Sequence, residues 1–307
     1  MMRHAMTMQC ALLLALACLP PGALAQKHKD VEEIGARDIN RGSWNFYSIE
    51  REIELGRQLA GQVESTSLLL RDREVQAYVN ELVQRLVRNS DAQLPFTVQV
   101  IDSDELNAFA LPGGFVYVNT GLILEAQTEA ELAGVLAHEI AHVTARHATK
   151  RATKATLFQW LTLPLIFVGG PVGLAVQQGL GLAVPLTFLK FARGAEREAD
   201  YLGLQYTYSS GYDPLALIDF LERLSEHERK GNLPKVFSTH PMSKERIKRA
   251  QEEIAQVLPA RTDYVVSTSR FDQVKARLLH WRHVNSLYEP SEQGGPRLRR
   301  RTQESQP

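Results

Sequence analysis

His138 and His142 stand four residues apart within Glu129 to about Lys150, a stretch whose apolar pattern reads as one long helix. Side chains at that spacing share one helix face, so both imidazoles come within reach of a single ion. Zinc suits such a pair, because it takes nitrogen and oxygen ligands and, where it is catalytic, keeps one position open. Glu139 is turned by about 100° around the helix from His138. It can therefore face a water held on the metal without being a ligand, and take its proton as general base. Leu132, Val135, Leu136, Ile140 and Ala141 surround these groups. They describe a buried helix, where unpaired imidazoles and an unpaired carboxylate would be costly. The chemistry indicated is hydrolysis assisted by one metal ion.

Two histidines leave a third ligand to be found. A further histidine ten residues after the first is excluded, since position 148 is Ala and position 145 is Ala rather than Gly. Glu196 in Ala195-Glu196-Arg197-Glu198-Ala199-Asp200 is the better candidate. Glu196 and Asp200 are again four apart on a helix. One carboxylate can bind the ion while the other accepts the outer N–H of a ligand histidine, the support that metal-bound imidazoles usually have. Glu198 points elsewhere, into solvent on this reading.

The elements that must position these groups are legible in outline. Ile49 to about Val63 and Glu74 to about Val87 carry apolar residues at helical spacing, in the second case Val75, Tyr78, Val79, Leu82 and Leu86. Thr97–Ile101 is β-branched and compact, a strand. Asn107–Leu111 and Phe115–Val118 flank Pro112-Gly113-Gly114, which predicts a hairpin or sharp strand corner. Ala195–Tyr208, Pro214–Leu224, Lys244–Val257 and Phe271–Trp281 are further helices. Strands cluster early and helices dominate later, an α+β pattern.

The residues at this point match a family. The chain resembles, from about Ser48 to Leu279, the gluzincin metallopeptidases of the CAAX prenyl protease, HtpX and BepA type, and looks like the exported, periplasmic branch. The resemblance rests on Asn107-Ala108-Phe109-Ala110-Leu111-Pro112-Gly113-Gly114, on His138-Glu139-Ile140-Ala141-His142 extended through Arg146-His147, on Glu196-x-Glu198-Ala199-Asp200, and on Thr239-His240-Pro241 with Arg246. It implies a mainly helical zincin-type α+β domain with a small sheet whose edge strand borders the active site. It further implies one zinc per chain held by His138, His142 and Glu196, Glu139 as base, and Asp200 supporting a ligand. His240 and Arg246 would lie at the site, either assisting the transition state or regulating access to the metal. Asn107, Ala108, Phe109 and Ala110 look like the strand on which a substrate peptide is aligned by backbone pairing. Asn107 could also bind a substrate carbonyl, whereas Phe109 reads equally well as core. Arg146 and His147 read as structural, beyond the ligand face.

The two ends of the chain point to its setting. A weakly basic start, an apolar run over 11–17 and Ala23-Leu24-Ala25 predict a signal peptide over 1–25, with lipidation of Cys18 as the alternative. Both cysteines lie within that segment, so the exported chain is held without disulfides. Residues 26–43 read as a polar linker, 44–288 as the metallopeptidase domain, and 289–307 as a disordered basic tail. Ala155–Leu189 has no charge. Pro164, Gly169-Gly170-Pro171 and Pro185 interrupt it, so 155–190 reads as an apolar helical insertion able to lie on a membrane surface. The balance of 35 basic and 35 acidic residues argues against a nucleic-acid partner. The expected function is a periplasmic, outer-membrane-associated zinc endopeptidase acting on unfolded or misassembled envelope proteins. The rival readings are a chaperone-like binder of extended chains and a membrane-embedded protease.

Overall fold

The structure is a computed structural model that describes residues 30–166, 191–229, 240 and 244–288. The signal peptide, the basic tail and most of the apolar insertion expected from the sequence lie outside the described residues. Helix α1 (Ile49–Thr66) begins at Ser48, whose side chain accepts from the Arg51 amide. Helix α2 (Arg73–Arg88) begins at Asp72, which caps the amides of Glu74 and Val75. Its Val75, Tyr78, Val79, Leu82, Val83 and Leu86 are all buried, as the spacing predicts.

Strands β1 (Thr97–Ile101), β2 (Ala108–Leu111) and β3 (Phe115–Asn119) form a sheet of order β1-β3-β2. β3 runs parallel to β1 and antiparallel to β2, so β2 is an edge strand. The corner between β2 and β3 is a short 3-10 turn in which Gly113 and Gly114 have φ of 76° and 87°, a region that disfavours a Cβ. On one face of the sheet Phe109, Leu111 and Tyr117 pack on Ala60 and Val63 of α1. On the other, Val98, Val100, Ala108, Ala110, Val116 and Val118 join the main core with α2 and the central helix.

Helix α3 (Thr120–Glu125) leads into that central helix, α4 (Glu129–Thr144), followed by α5 (His147–Ile166), α6 (Arg193–Ser209), α7 (Leu215–Arg229), α8 (Lys244–Val257) and α9 (Ser269–Tyr288). The α+β expectation is met. None of these helices is long and apolar enough to cross a membrane, among the described residues.

The single helix expected over 129–150 is instead two. It breaks at Ala145–Arg146, where Arg146 takes φ 56°. A left-handed residue with a Cβ costs roughly 1–2 kcal/mol, and neither Gly nor Pro marks the place. The conformation is held by the guanidinium, which donates to Glu52 Oε2 at 2.6 Å and to the Tyr47 carbonyl at 2.7 Å. The polar stretch before α1 packs on the domain from Asp30 onward, and its later part is laid along the same joint. Asn40 donates to the Thr144 carbonyl at 2.9 Å, Asn45 to Thr149 at 2.8 Å, and the Phe46 amide to Thr153 at 2.9 Å. Arg37 pairs with buried Asp91 at 2.8 Å. Scattered apolar contacts of Val31, Ile34 and Ile39 and many hydrogen bonds, without helical or strand periodicity, anchor this segment, so its sequence reads like a linker.

Candidate metal centre

All sixteen residues of α4 are buried, so its polar side chains must find partners inside the protein. The helix is fixed at its start by a reciprocal cap. Thr128 accepts from the Glu131 amide at 3.2 Å, and Glu131 accepts from the Gln127 amide at 2.7 Å. Helix α6 packs along α4. Glu196, Asp200 and Gly203, at spacings of four and three, share its inner face. A Cβ on Gly203 would stand 3.0 Å from the His138 Cα, so the two backbones meet there in direct contact.

This packing brings His138, His142 and Glu196 together, with His240 as a fourth member, all buried. One ligand atom from each lies within 4.8 Å of the others. His138 Nε2 is 3.1 Å from His142 Nε2 and 3.4 Å from His240 Nδ1. Glu196 Oε1 is 2.9 Å from His240 Nδ1 and 3.5 Å from His142 Nε2, and Glu196 Oε2 is 3.6 Å from His138 Nε2. Donors about 2.0–2.1 Å from a tetrahedral ion are separated by about 3.3 Å, so this donor set fits zinc in both spacing and chemistry.

The electrostatics are those of a cation site. Burial opposes a charge on His138, but its hydrogen bonds to Asp200 and Glu196 prevail and hold it up at about 9. Burial likewise opposes the Glu196 charge, yet hydrogen bonds from His138 and His240 hold that carboxyl well below the usual range. His142 is pushed well below its ordinary value by burial and by the neighbouring His138, His240 and His147. A proton on His138 thus balances the carboxylates in the metal-free chain, and binding an ion would displace it.

Asp200 lies 3.1 Å from His138 Nδ1, the outer nitrogen, and is gripped by Arg246 through two bonds of 2.8 and 2.7 Å. Arg246 Nη1 is 3.2 Å from Glu196 Oε2. Glu139 is not among the converging ligand atoms. Its Oε2 accepts from the Ala110 amide at 3.2 Å and its Oε1 is 3.4 Å from His240 Nε2. Burial raises its pKa above the carboxylate norm.

The Asn119 amide donates to the Asn107 carbonyl. Antiparallel pairing therefore alternates so that Phe109 exchanges bonds with Tyr117, while buried Ala108 and Ala110 turn their backbone groups away from β3, the Ala110 amide toward Glu139. Phe109 itself is not brought to the cluster; its ring stacks on Tyr117 at 5.1 Å on the α1 side. Asn107 has a buried Oδ1 without a partner among the described residues. The group that Oδ1 lacks is a donor, such as a peptide N–H.

Three residues escaped the sequence reading. His147 Nδ1 is 2.9 Å from His142 Nδ1, and Glu198, partly solvated as expected at 42% side-chain exposure, also lies 3.1 Å from His147 Nε2. Phe191 stacks on the His142 ring at 4.1 Å. The break at Arg146 hid the first two, because an unbroken helix turns His147 away from His142. Nothing in the sequence around Phe191 distinguishes it from the apolar run it follows.

Residues 70–254 match the family described as peptidase family M48. The chain is 32% identical over 255 residues to the beta-barrel assembly-enhancing protease of Escherichia coli (strain K12), covering 79% of this chain and 51% of that protein. It is 31% identical over 250 residues to the protein of the same name from Yersinia pestis, covering 76% and 51%. A mitochondrial metalloendopeptidase of Schizosaccharomyces pombe is 32% identical over 218 residues, covering 69% of this chain and 64% of its own length. The chain thus spans about half the length of these bacterial relatives.

Proposed function

Because the chain belongs to peptidase family M48, we propose that it is a zinc-dependent endopeptidase of the periplasm that hydrolyses misfolded or unassembled envelope proteins. The observation that carries the chemistry is the convergence of four buried ligand atoms within 4.8 Å beside an unligated, buried glutamate. The setting is supported by the similarity to a protease whose name couples it to β-barrel assembly, and by the signal-like residues 1–25.

His138 and His142 through their Nε2 atoms, and Glu196 through its carboxylate, would hold one zinc ion. When bound, zinc supplies Lewis acidity toward a peptide carbonyl and lowers the pKa of water to about 7. Glu139, steadied at Oε2 by the Ala110 amide, takes the proton of the attacking water and returns it to the departing amine. Its raised pKa places it nearer the working pH, where a group can do both. The backbone groups of Ala108 and the carbonyl of Ala110, whose amide is kept by Glu139, pair with an extended substrate backbone and Asn107 Oδ1 accepts from it, so alignment demands little of substrate side chains. Burial excludes bulk water from the reacting groups. The mature protein is expected to contain one zinc per chain and to cleave casein or an unfolded outer-membrane protein. A chelator abolishes this cleavage and added zinc restores it; chelator-resistant cleavage would refute the mechanism.

His240 favours a second reading of the resting site. Its Nδ1 stands at the fourth corner of the donor set, 2.9 Å from Glu196 Oε1, and a fourth protein ligand closes the position that catalysis requires. On this reading His240→Ala raises basal cleavage severalfold with zinc retained, as read by metal content and initial rates. A fall in rate at full zinc content would instead give His240 a part in the transition state.

A further inference from the structure

Resting on the reading of His142 as a metal ligand, we infer that His147 and Glu198 form a hydrogen-bonded relay that fixes the His142 imidazole for the ion. Glu198 accepts from His147, and His147 accepts from His142. Two ring nitrogens 2.9 Å apart, His142 Nδ1 and His147 Nδ1, share one proton; two protons would collide and none would leave two lone pairs opposed. An ionised Glu198 is an acceptor only, so the His147 nitrogen 3.1 Å from it, Nε2, carries the His147 proton. A neutral His147 then presents a bare Nδ1, and the shared proton belongs to His142 Nδ1. That leaves the lone pair of His142 on Nε2, the atom facing His138 and Glu196. In a neutral His147 the opposite assignment would set a bare Nε2 against a carboxylate, two acceptors in contact; a doubly protonated His147 would donate to both neighbours and leave His142 Nδ1 bare, and the spectra below separate that case.

The backbone is built for this contact. On an unbroken helix His147, five residues after His142, would be turned by about 140° from it. The left-handed turn at Arg146, pinned by Glu52 and the Tyr47 carbonyl, brings the ring back. His142 is also stacked on Phe191, so its plane is set as well as its tautomer. The two imidazoles of α4 are then supported from one helix. Asp200 serves His138 directly and Glu198 serves His142 through a ring, while Glu196 between them faces the ion. His147 and Glu198 are positioning residues that touch neither substrate nor metal.

Zinc affinity by chelator competition tests the relay on the mature chain. His147→Ala is expected to weaken zinc binding about 10–100-fold. His147→Asn, whose Oδ1 can accept where Nδ1 did, recovers most of the loss, and Glu198→Ala lies between. Long-range 15N–1H spectra of the metal-free wild type should show His147 protonated at Nε2 and bare at Nδ1. A folded His147→Ala that binds zinc as tightly as wild type, or an Nδ1–H tautomer of His147, overturns the relay. A wild-type chain without zinc affinity overturns the metal reading instead, and the tautomer still decides whether the hydrogen-bonded chain exists.

Discussion

Glu139→Gln is expected to lower kcat for peptide cleavage by about 10²–10⁴-fold, the usual contribution of a positioned general base, without loss of zinc. Gln has nearly the shape of Glu and keeps a carbonyl oxygen to accept the Ala110 amide, so β2 and α4 keep their contact. What it cannot do is take a proton. Since Glu139 is not one of the four converging ligand residues, metal content and KM should stay close to wild type. Steady-state kinetics on a quenched peptide, with zinc measured on the same sample, separates the effects. Full activity in Glu139→Gln would sink the mechanism. So would a rate loss fully explained by lost zinc. A chain that merely held unfolded proteins would bind them equally well with either residue, which makes the variant decisive against the chaperone reading too.

Arg246→Ala is expected to cost about 3–5 kcal/mol of folding stability in the metal-free protein, as breaking a buried ion pair from one side does. Arg246 is only 11% exposed and lies against Asp200 and Glu196. Its removal leaves two buried carboxylates with the His138 charge to share. Zinc brings positive charge to the same place, so the loss should shrink when the ion is bound. Urea unfolding with and without zinc measures both values. An equal loss in the two states would mean that Arg246 acts on packing and not on the charge of the centre. Arg246→Lys should fall between, because a lysine cannot grip Asp200 through two parallel bonds.

The sequence carried far where local rules govern. Helices α1 and α2, the three strands and the Pro-Gly-Gly corner each follow from short-range periodicity or turn chemistry, and His138, His142, Glu196 and Asp200 follow from four-residue spacing on two helices. The reading stopped where the determinants are distant. Arg146 turns left-handed because of Glu52, 94 residues away, and that partner is invisible from Ala145-Arg146-His147 alone. Glu198 is indeed 42% exposed, and what its charged neighbours concealed is its partner His147, 51 residues earlier. The segment from Asp30 onward shows no apolar periodicity, since much of what it offers the domain is polar: Arg37 to Asp91, and the amides of Asn40 and Asn45 to Thr144 and Thr149 at the α4–α5 joint.

Gly203 makes the gap between α4 and α6 a fixed gauge. With main chain resting on main chain at His138, the separation of the two ligand-bearing helices is set by backbone thickness and not by rotamers that could adjust. Such a gauge has little give, because interiors packed this closely resist small displacements. An ion of calcium's size, which takes six to eight oxygens at about 2.3–2.6 Å, finds here too few oxygens and walls that do not part. On the zinc reading proposed above, selection for a small, nitrogen-seeking cation would lie in the spacing of two helices as much as in the side chains that reach across it.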